Sequence, residues 1–165
     1  MKIAALLTGK KNSSFKNKNL LLINKKPIFS YPAVMAKNSN LINNYYVSSD
    51  SKYILDYCSK LGYTKIKRPK KLSTKNSLHR NVIIHALNFM KKNNFFPDII
   101  VVLLANAPII KTKWINDCIS ILKKNKNITS VVPVVENNDN NPLRAKKIQK
   151  NYIKNFIKTK KKIFI

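Results

Sequence analysis

The chain has 165 residues, 44% of them apolar, enough for one domain whose core needs neither disulfides nor metals, which excludes a disordered tail. No apolar run approaches the ~20 residues that span a bilayer, and Ile3 to Leu7 is too short for a secretory leader, so a cytoplasmic protein without membrane attachment is expected. The formal net charge is +27, yet of 33 basic residues only Arg68, Arg80 and Arg144 could make the bidentate contacts that read bases, and the lysines are scattered, so no specific nucleic-acid site is expected. Lys, Asn and Ile share A/T-rich codons and are abundant throughout, which accounts for the charge by base composition.

Lys2 to Thr8 reads as a buried strand ended by Gly9. A polar loop runs to Asn19. Pro27 suits the first position of a helix reaching about Asn38. Tyr45 to Ser48 is the second strand. Ser51 can cap a helix to about Leu61, and Gly62 can end it. Tyr63 to Lys67 is a short third strand. A helix starts at Asn76 or Ser77 and reaches about Lys92, with Leu78, Val82, Ile83, Ala86, Leu87 and Met90 at helical spacing. Asp98 to Leu104 is the most apolar strand and is expected at the centre of the sheet. Thr112 is placed to cap a helix whose apolar face holds Trp114, Ile115, Cys118, Ile119 and Leu122. Ser130 to Val135 reads as a further buried strand.

Strands alternating with helices predict an α/β fold, a mostly parallel sheet in a Rossmann-like three-layer αβα arrangement. Ligands of such sheets sit at the carboxyl ends of the strands. Cys58 and Cys118 are isolated thiols, expected to be reduced. His79 and His85 point about 240° apart on a helix, so they cannot share a metal. The loop Gly9 to Asn19 has the small polar groups and lysines that hold phosphate, although it is neither GxxxxGK[ST] nor GxGxxG.

The ordered set of fragments is more specific. It comprises Leu6-Leu7-Thr8-Gly9-Lys10, Lys16-Asn17-Lys18-Asn19, Lys26-Pro27, Tyr46-Val47-Ser48-Ser49-Asp50 and Lys67-Arg68-Pro69-Lys70-Lys71-Leu72. It continues with His79, His85-Ala86-Leu87, Val102-Leu103-Leu104-Ala105-Asn106, Val131-Val132-Pro133-Val134 and Asn141-Pro142-Leu143-Arg144-Ala145-Lys146-Lys147. In this order the chain resembles the acylneuraminate cytidylyltransferases, which make CMP-activated sialic and other nonulosonic acids and are related to CMP-Kdo synthetases. The resemblance runs from residue 2 to about 148, leaving 149–165 as a basic tail or the start of a further region.

The resemblance implies transfer of CMP from CTP to a sialic-acid-like nonulosonic acid with release of pyrophosphate. It implies catalytic roles for Lys10 and Lys18 on the triphosphate. Nucleotide contacts fall on Leu7, Thr8, Gly9, Lys10, Asn12, Lys18, Asn19, Arg68, Ser77 and His79, and sugar-acid contacts on Ala105, Asn106 and Arg144. Mg²⁺ and a homodimer are the family's cofactor and assembly. Three departures stand out. Lys10 occupies the position of the family's arginine, losing its planar fork. Asn141 replaces a histidine, and the family's metal-binding aspartate pair has no counterpart, so little or no turnover by this chain alone is expected. Read without the resemblance, Lys10 and Lys18 are ordinary solvated lysines, His79 a helix-start histidine and Asn106 a strand-end cap. The alternatives are a related sugar nucleotidyltransferase and a noncatalytic polyanion-binding remnant.

Overall fold

Six consecutive buried residues, Ile3–Thr8, form β1. In the computed structural model, which describes residues 1–11, 16–137 and 142–157, this strand lies inside a parallel sheet. Leu22–Ile23 (β2) and Lys26–Pro27 (β3) form a small antiparallel pair. Helix α1 spans Ser30–Lys37, β4 Asn44–Ser49, α2 Lys52–Lys60 and β5 Thr64–Lys67. Helix α3 spans His79–Lys92, β6 Ile99–Leu104 and α4 Thr112–Lys124. The four-stranded sheet has the order β5-β4-β1-β6, all parallel.

Side chains of a strand alternate between faces, so β1 feeds two cores. Ile3, Ala5 and Leu7 meet Phe29, Ala33 and Ala36 around α1, Ile54 and Cys58 from α2, and Ile115 and Ile119 from α4. Ala4 and Leu6 meet Ala86 and Met90 of α3 on the other face. Among the described residues, α1, α2 and α4 therefore cover one face and α3 covers the other.

Local chemistry explains the boundaries. The Ser51 hydroxyl caps α2 by accepting from the Ile54 amide at 3.4 Å, and Gly62, at φ +82°, takes the left-handed turn that follows the helix. Ser51→Ala is expected to lower stability by about 1 kcal/mol, read as a lower urea midpoint with an unchanged slope.

Four readings of the sequence are corrected. Pro27 does not open α1: Asn24 and Lys25 both have positive φ, making a tight turn that folds Lys26–Pro27 back on Leu22–Ile23. The proline inside the first turn of α1 is Pro32, where a missing amide costs no helical bond. Thr112 is not a cap but the first residue of α4, and its hydroxyl donates to Met35 O at 2.9 Å, satisfying a carbonyl at the end of α1. Among the described residues β6 lies at the edge of the sheet rather than at its centre, since β1 and β4 fill the middle. Its apolar residues are explained by the helices over its faces. Ser130 to Val135 is not a strand, and Val132, Val134 and Val135 are 71%, 90% and 87% exposed. Among the described residues it has no strand neighbour, and Pro133 offers no amide to a ladder.

The chain divides into compact units Met1–Val131 and Val132–Ile165. The second contains a hairpin of β7, Lys146–Gln149, and β8, Tyr152–Asn155, turned by Lys150 and Asn151 at φ 48° and 64°. Its strand residues are exposed. No helix among the described residues is long and apolar enough to cross a membrane.

Candidate functional site

The carboxyl ends of β1, β5 and β6 open on one cleft of about 210 Å³. Thr8, Gly9 and Lys10 enter it after β1, Arg68 after β5, and Leu104 and Asn106 after β6. Lys18 and Asn19 come from a single helical turn in the first loop. Leu72, Ser77, His79 and Val82 close the side nearest α3.

Backbone and side-chain bonds hold these loops together. Asn19 is buried and donates from Nδ2 to Lys10 O at 2.8 Å. The Lys10 ammonium donates to Thr74 O at 3.2 Å, tying the first loop to the loop before α3. Asp50, after β4, accepts from the Lys11 amide at 2.8 Å, so this carboxylate anchors the first loop. The Ser77 hydroxyl lies 2.9 Å from both Leu72 O and Thr74 O, locking its own turn.

Two longer-range contacts reach the sheet itself. Arg68 is 7% exposed; Nη2 donates to Ser48 O at 2.7 Å and Nε to Ser48 Oγ at 3.3 Å. Burial lowers its pKa from the ordinary guanidinium value, and the nearby Asp50 charge works in the opposite direction. His79, at the start of α3, places Nε2 2.9 Å from Thr8 Oγ1. Its pKa lies below the ordinary 6.5, through burial first and then the Arg68 charge. His85 also shifts downward from 6.5, through burial first, then Arg68, Lys71 and Lys92, and its Nδ1 is buried without a partner among the described residues.

These two histidines carry a pH dependence. The unfolded chain takes up protons that the fold resists, so stability rises with pH across that window. Thermal scans should show a flat midpoint above about pH 7 and a decline below about 6.5. A His79→Gln/His85→Gln variant is expected to flatten that decline.

Of the residues singled out in the sequence, Thr8, Gly9, Lys10, Lys18, Asn19, Arg68, Ser77, His79 and Asn106 line the cleft. Leu7 and Ala105 belong to the core behind it, with the Ala105 amide donating to Thr8 O at 2.9 Å. Asn12 lies outside the described residues. Arg144 is an exposed residue of the second unit. The apolar lining of Leu72, Val82 and Leu104 was not singled out, because apolar residues carry no chemical signature until a fold exposes them.

Among the described residues the lining has three fixed cationic residues and no carboxylate. No cluster of His, Cys, Asp and Glu suited to a metal ion occurs among the described residues. Asp56 and Asp117 instead pair with Lys65 and Lys113. This donor set does not fit a protein-held Mg²⁺, which favours carboxylate oxygens. It does fit an anionic ligand whose flat or apolar portion rests against Leu72, Val82 and Leu104.

A sequence profile described as Cytidylyltransferase matches residues 11–162. A Helicobacter pylori (strain ATCC 700392 / 26695) protein named pseudaminic acid cytidylyltransferase and UDP-2,4-diacetamido-2,4,6-trideoxy-beta-L-altropyranose hydrolase is 26% identical over 126 residues, 76% of this chain and 24% of its own length. The structure of a CMP:2-keto-3-deoxy-manno-octonic acid synthetase complexed with CTP superposes with TM-score 0.61 at 18% identity, covering 78% of this chain and 50% of that one. A cytidylyltransferase from Leptospira borgpetersenii serovar Hardjo-bovis (strain JB197) gives 0.59 at 22%, covering 77% and 51%. These likenesses show the nucleotidyltransferase fold. The chain spans about a quarter of the Helicobacter relative and half of each structure.

Proposed function

This chain belongs to the cytidylyltransferase family, and we propose on that premise that its cleft binds CTP and serves transfer of CMP to a nonulosonic acid. The observation that supports this reading most is the buried Arg68 guanidinium, set in one cleft with Lys10 and Lys18 and, among the described residues, with no carboxylate in the lining. The guanidinium is a donor-only group suited to the O2 and N3 acceptors of a cytosine. The lysines are suited to phosphate oxygens, which they attract as point charges.

In the proposed reaction a sugar-acid hydroxyl oxygen bonds to the α-phosphorus of CTP. The bond to the bridging oxygen breaks, pyrophosphate leaves, and the hydroxyl proton is released. The protein's contribution is placement of the triphosphate and offset of its charge. Mg²⁺ enters this reading as the counter-ion of the triphosphate and is assigned no protein ligand. The nonulosonic class rests on the Helicobacter relative's name and on the fragments that resemble the acylneuraminate enzymes.

Thermal unfolding with Mg²⁺ at moderate salt tests the reading. CTP at a hundredfold excess over its dissociation constant is expected to add about 2.7 kcal/mol of apparent stability, with a smaller effect from ATP. Equal shifts would mean that phosphate alone is bound. No shift with either nucleotide would refute the proposal.

A further inference from the structure

We propose that His79 reads the nucleobase: Thr8 holds its imidazole as the Nε2–H tautomer, leaving Nδ1 as the cleft's acceptor for an exocyclic amino group. The inference rests on the CTP reading above and adds the means by which an aminopyrimidine is preferred to a ketopyrimidine.

The argument starts from one proton. A threonine hydroxyl has a single hydrogen to give and can accept as well. Thr8 Oγ1 donates to Leu103 O at 3.2 Å, a carbonyl that can only accept. The same oxygen lies 2.9 Å from His79 Nε2, and with its proton given to Leu103 O it is left to accept, the arrangement that selects the Nε2–H tautomer. In a neutral imidazole the other nitrogen is then an acceptor. Burial first, and then the Arg68 charge, both disfavour the protonated ring.

The second half of the pattern is Arg68. Thr8 and Ser48 are register partners on the adjacent strands β1 and β4. One holds His79 and the other holds Arg68, so a donor-only group and an acceptor are anchored side by side on the sheet. Cytosine presents a carbonyl at one end of its pairing edge and an amino group at the other. Uracil presents carbonyls at both ends. A cleft with a guanidinium and an imidazole lone pair matches the first edge and sets lone pair against lone pair with the second.

The test has two parts. Nitrogen-15 NMR of the wild-type imidazoles near pH 7.5 should place His79 Nε2 in the protonated range and Nδ1 in the unprotonated range, with or without nucleotide. Calorimetry should then give dissociation constants for CTP and UTP. Wild type is expected to prefer CTP by about tenfold, and His79→Ala to lose most of that ratio through weaker CTP binding. Thr8→Val, which removes the hydroxyl and keeps the shape, should also lower the ratio. An Nδ1–H tautomer overturns the proposal. So does a His79→Ala protein that weakens CTP and UTP equally, which marks a merely structural histidine. Wild-type protein that binds no CTP overturns the CTP reading and the base reading together, whereas CTP binding with an unchanged ratio in His79→Ala overturns only the latter.

Discussion

Arg68→Met is expected to weaken CTP binding about ten- to hundredfold while leaving the chain folded. A hydrogen bond to a charged group contributes about 1.5–3 kcal/mol, and each 1.4 kcal/mol is about tenfold in affinity. Stability is expected to stay within about 1 kcal/mol of wild type, because two opposing effects follow the substitution. Ser48 O and Oγ lose their donors. Against that, a buried cation is removed, whose burial outweighs the nearby Asp50 charge that favours it. Met fills a similar volume without charge. Arg68→Lys is expected to fail as a rescue, since an ammonium cannot serve Ser48 and a base edge with one rigid fork. Calorimetry with CTP and a urea titration of each variant separate the two effects. CTP affinity within twofold of wild type in Arg68→Met would place the guanidinium outside the base site.

Gly9→Ala should destabilise the fold by about 1–3 kcal/mol, the usual cost of overpacking. A Cβ at Gly9 would stand 2.7 Å from the Cβ of Ala105 and 3.5 Å from Cδ1 of Ile54. Ala105 cannot swing away: it is 1% exposed, and its amide is bonded to Thr8 O. The relief must come from separating the ends of β1 and β6, where Thr8, Lys10 and Asn106 line the cleft. Nucleotide affinity should therefore fall along with the urea midpoint. Adding Ala105→Gly removes the opposing methyl, and the double variant is expected to recover most of the loss, a coupling that separate sites would not show. An unaltered midpoint in Gly9→Ala would mean that this strand end yields without cost.

The elements legible in the sequence are those whose signals are local. Six apolar or small residues before Gly9 announce β1, and Ser51 and Gly62 bracket α2 within a few residues. Pro27 misleads because the turn before it uses Asn24 and Lys25 in left-handed conformations, and Asn-Lys lacks the glycine that usually marks such a turn. Sheet order is not local. The apolar run of β6 looks central by composition, yet strand faces and strand edges are buried by different neighbours, and composition reports only the faces. Ser130 to Val135 has a strand's composition without a strand's partner among the described residues. In the site, strand-end placement marked the loops, and the resemblance to the acylneuraminate enzymes, rather than composition, pointed to Thr8, Lys10, Lys18, Arg68 and His79. The pairing of Thr8 with His79, 71 residues apart, and of Lys10 with Thr74, 64 apart, needed the fold.

The sheet order also sets a timetable for synthesis. β1 is made first, yet it bonds β4 on one side and β6 on the other, and Ile3 waits for Ile99. At a ribosomal pace of 5–20 residues per second, that wait is roughly 5–20 s. Through it a fully apolar strand hangs from the emerging chain with half its amides unmatched. The lysines that crowd the intervening segments keep like charge on neighbouring nascent chains, and mutual repulsion slows their clumping. Like charge on neighbouring nascent chains is therefore expected to oppose their association until the last partner of β1 leaves the ribosome.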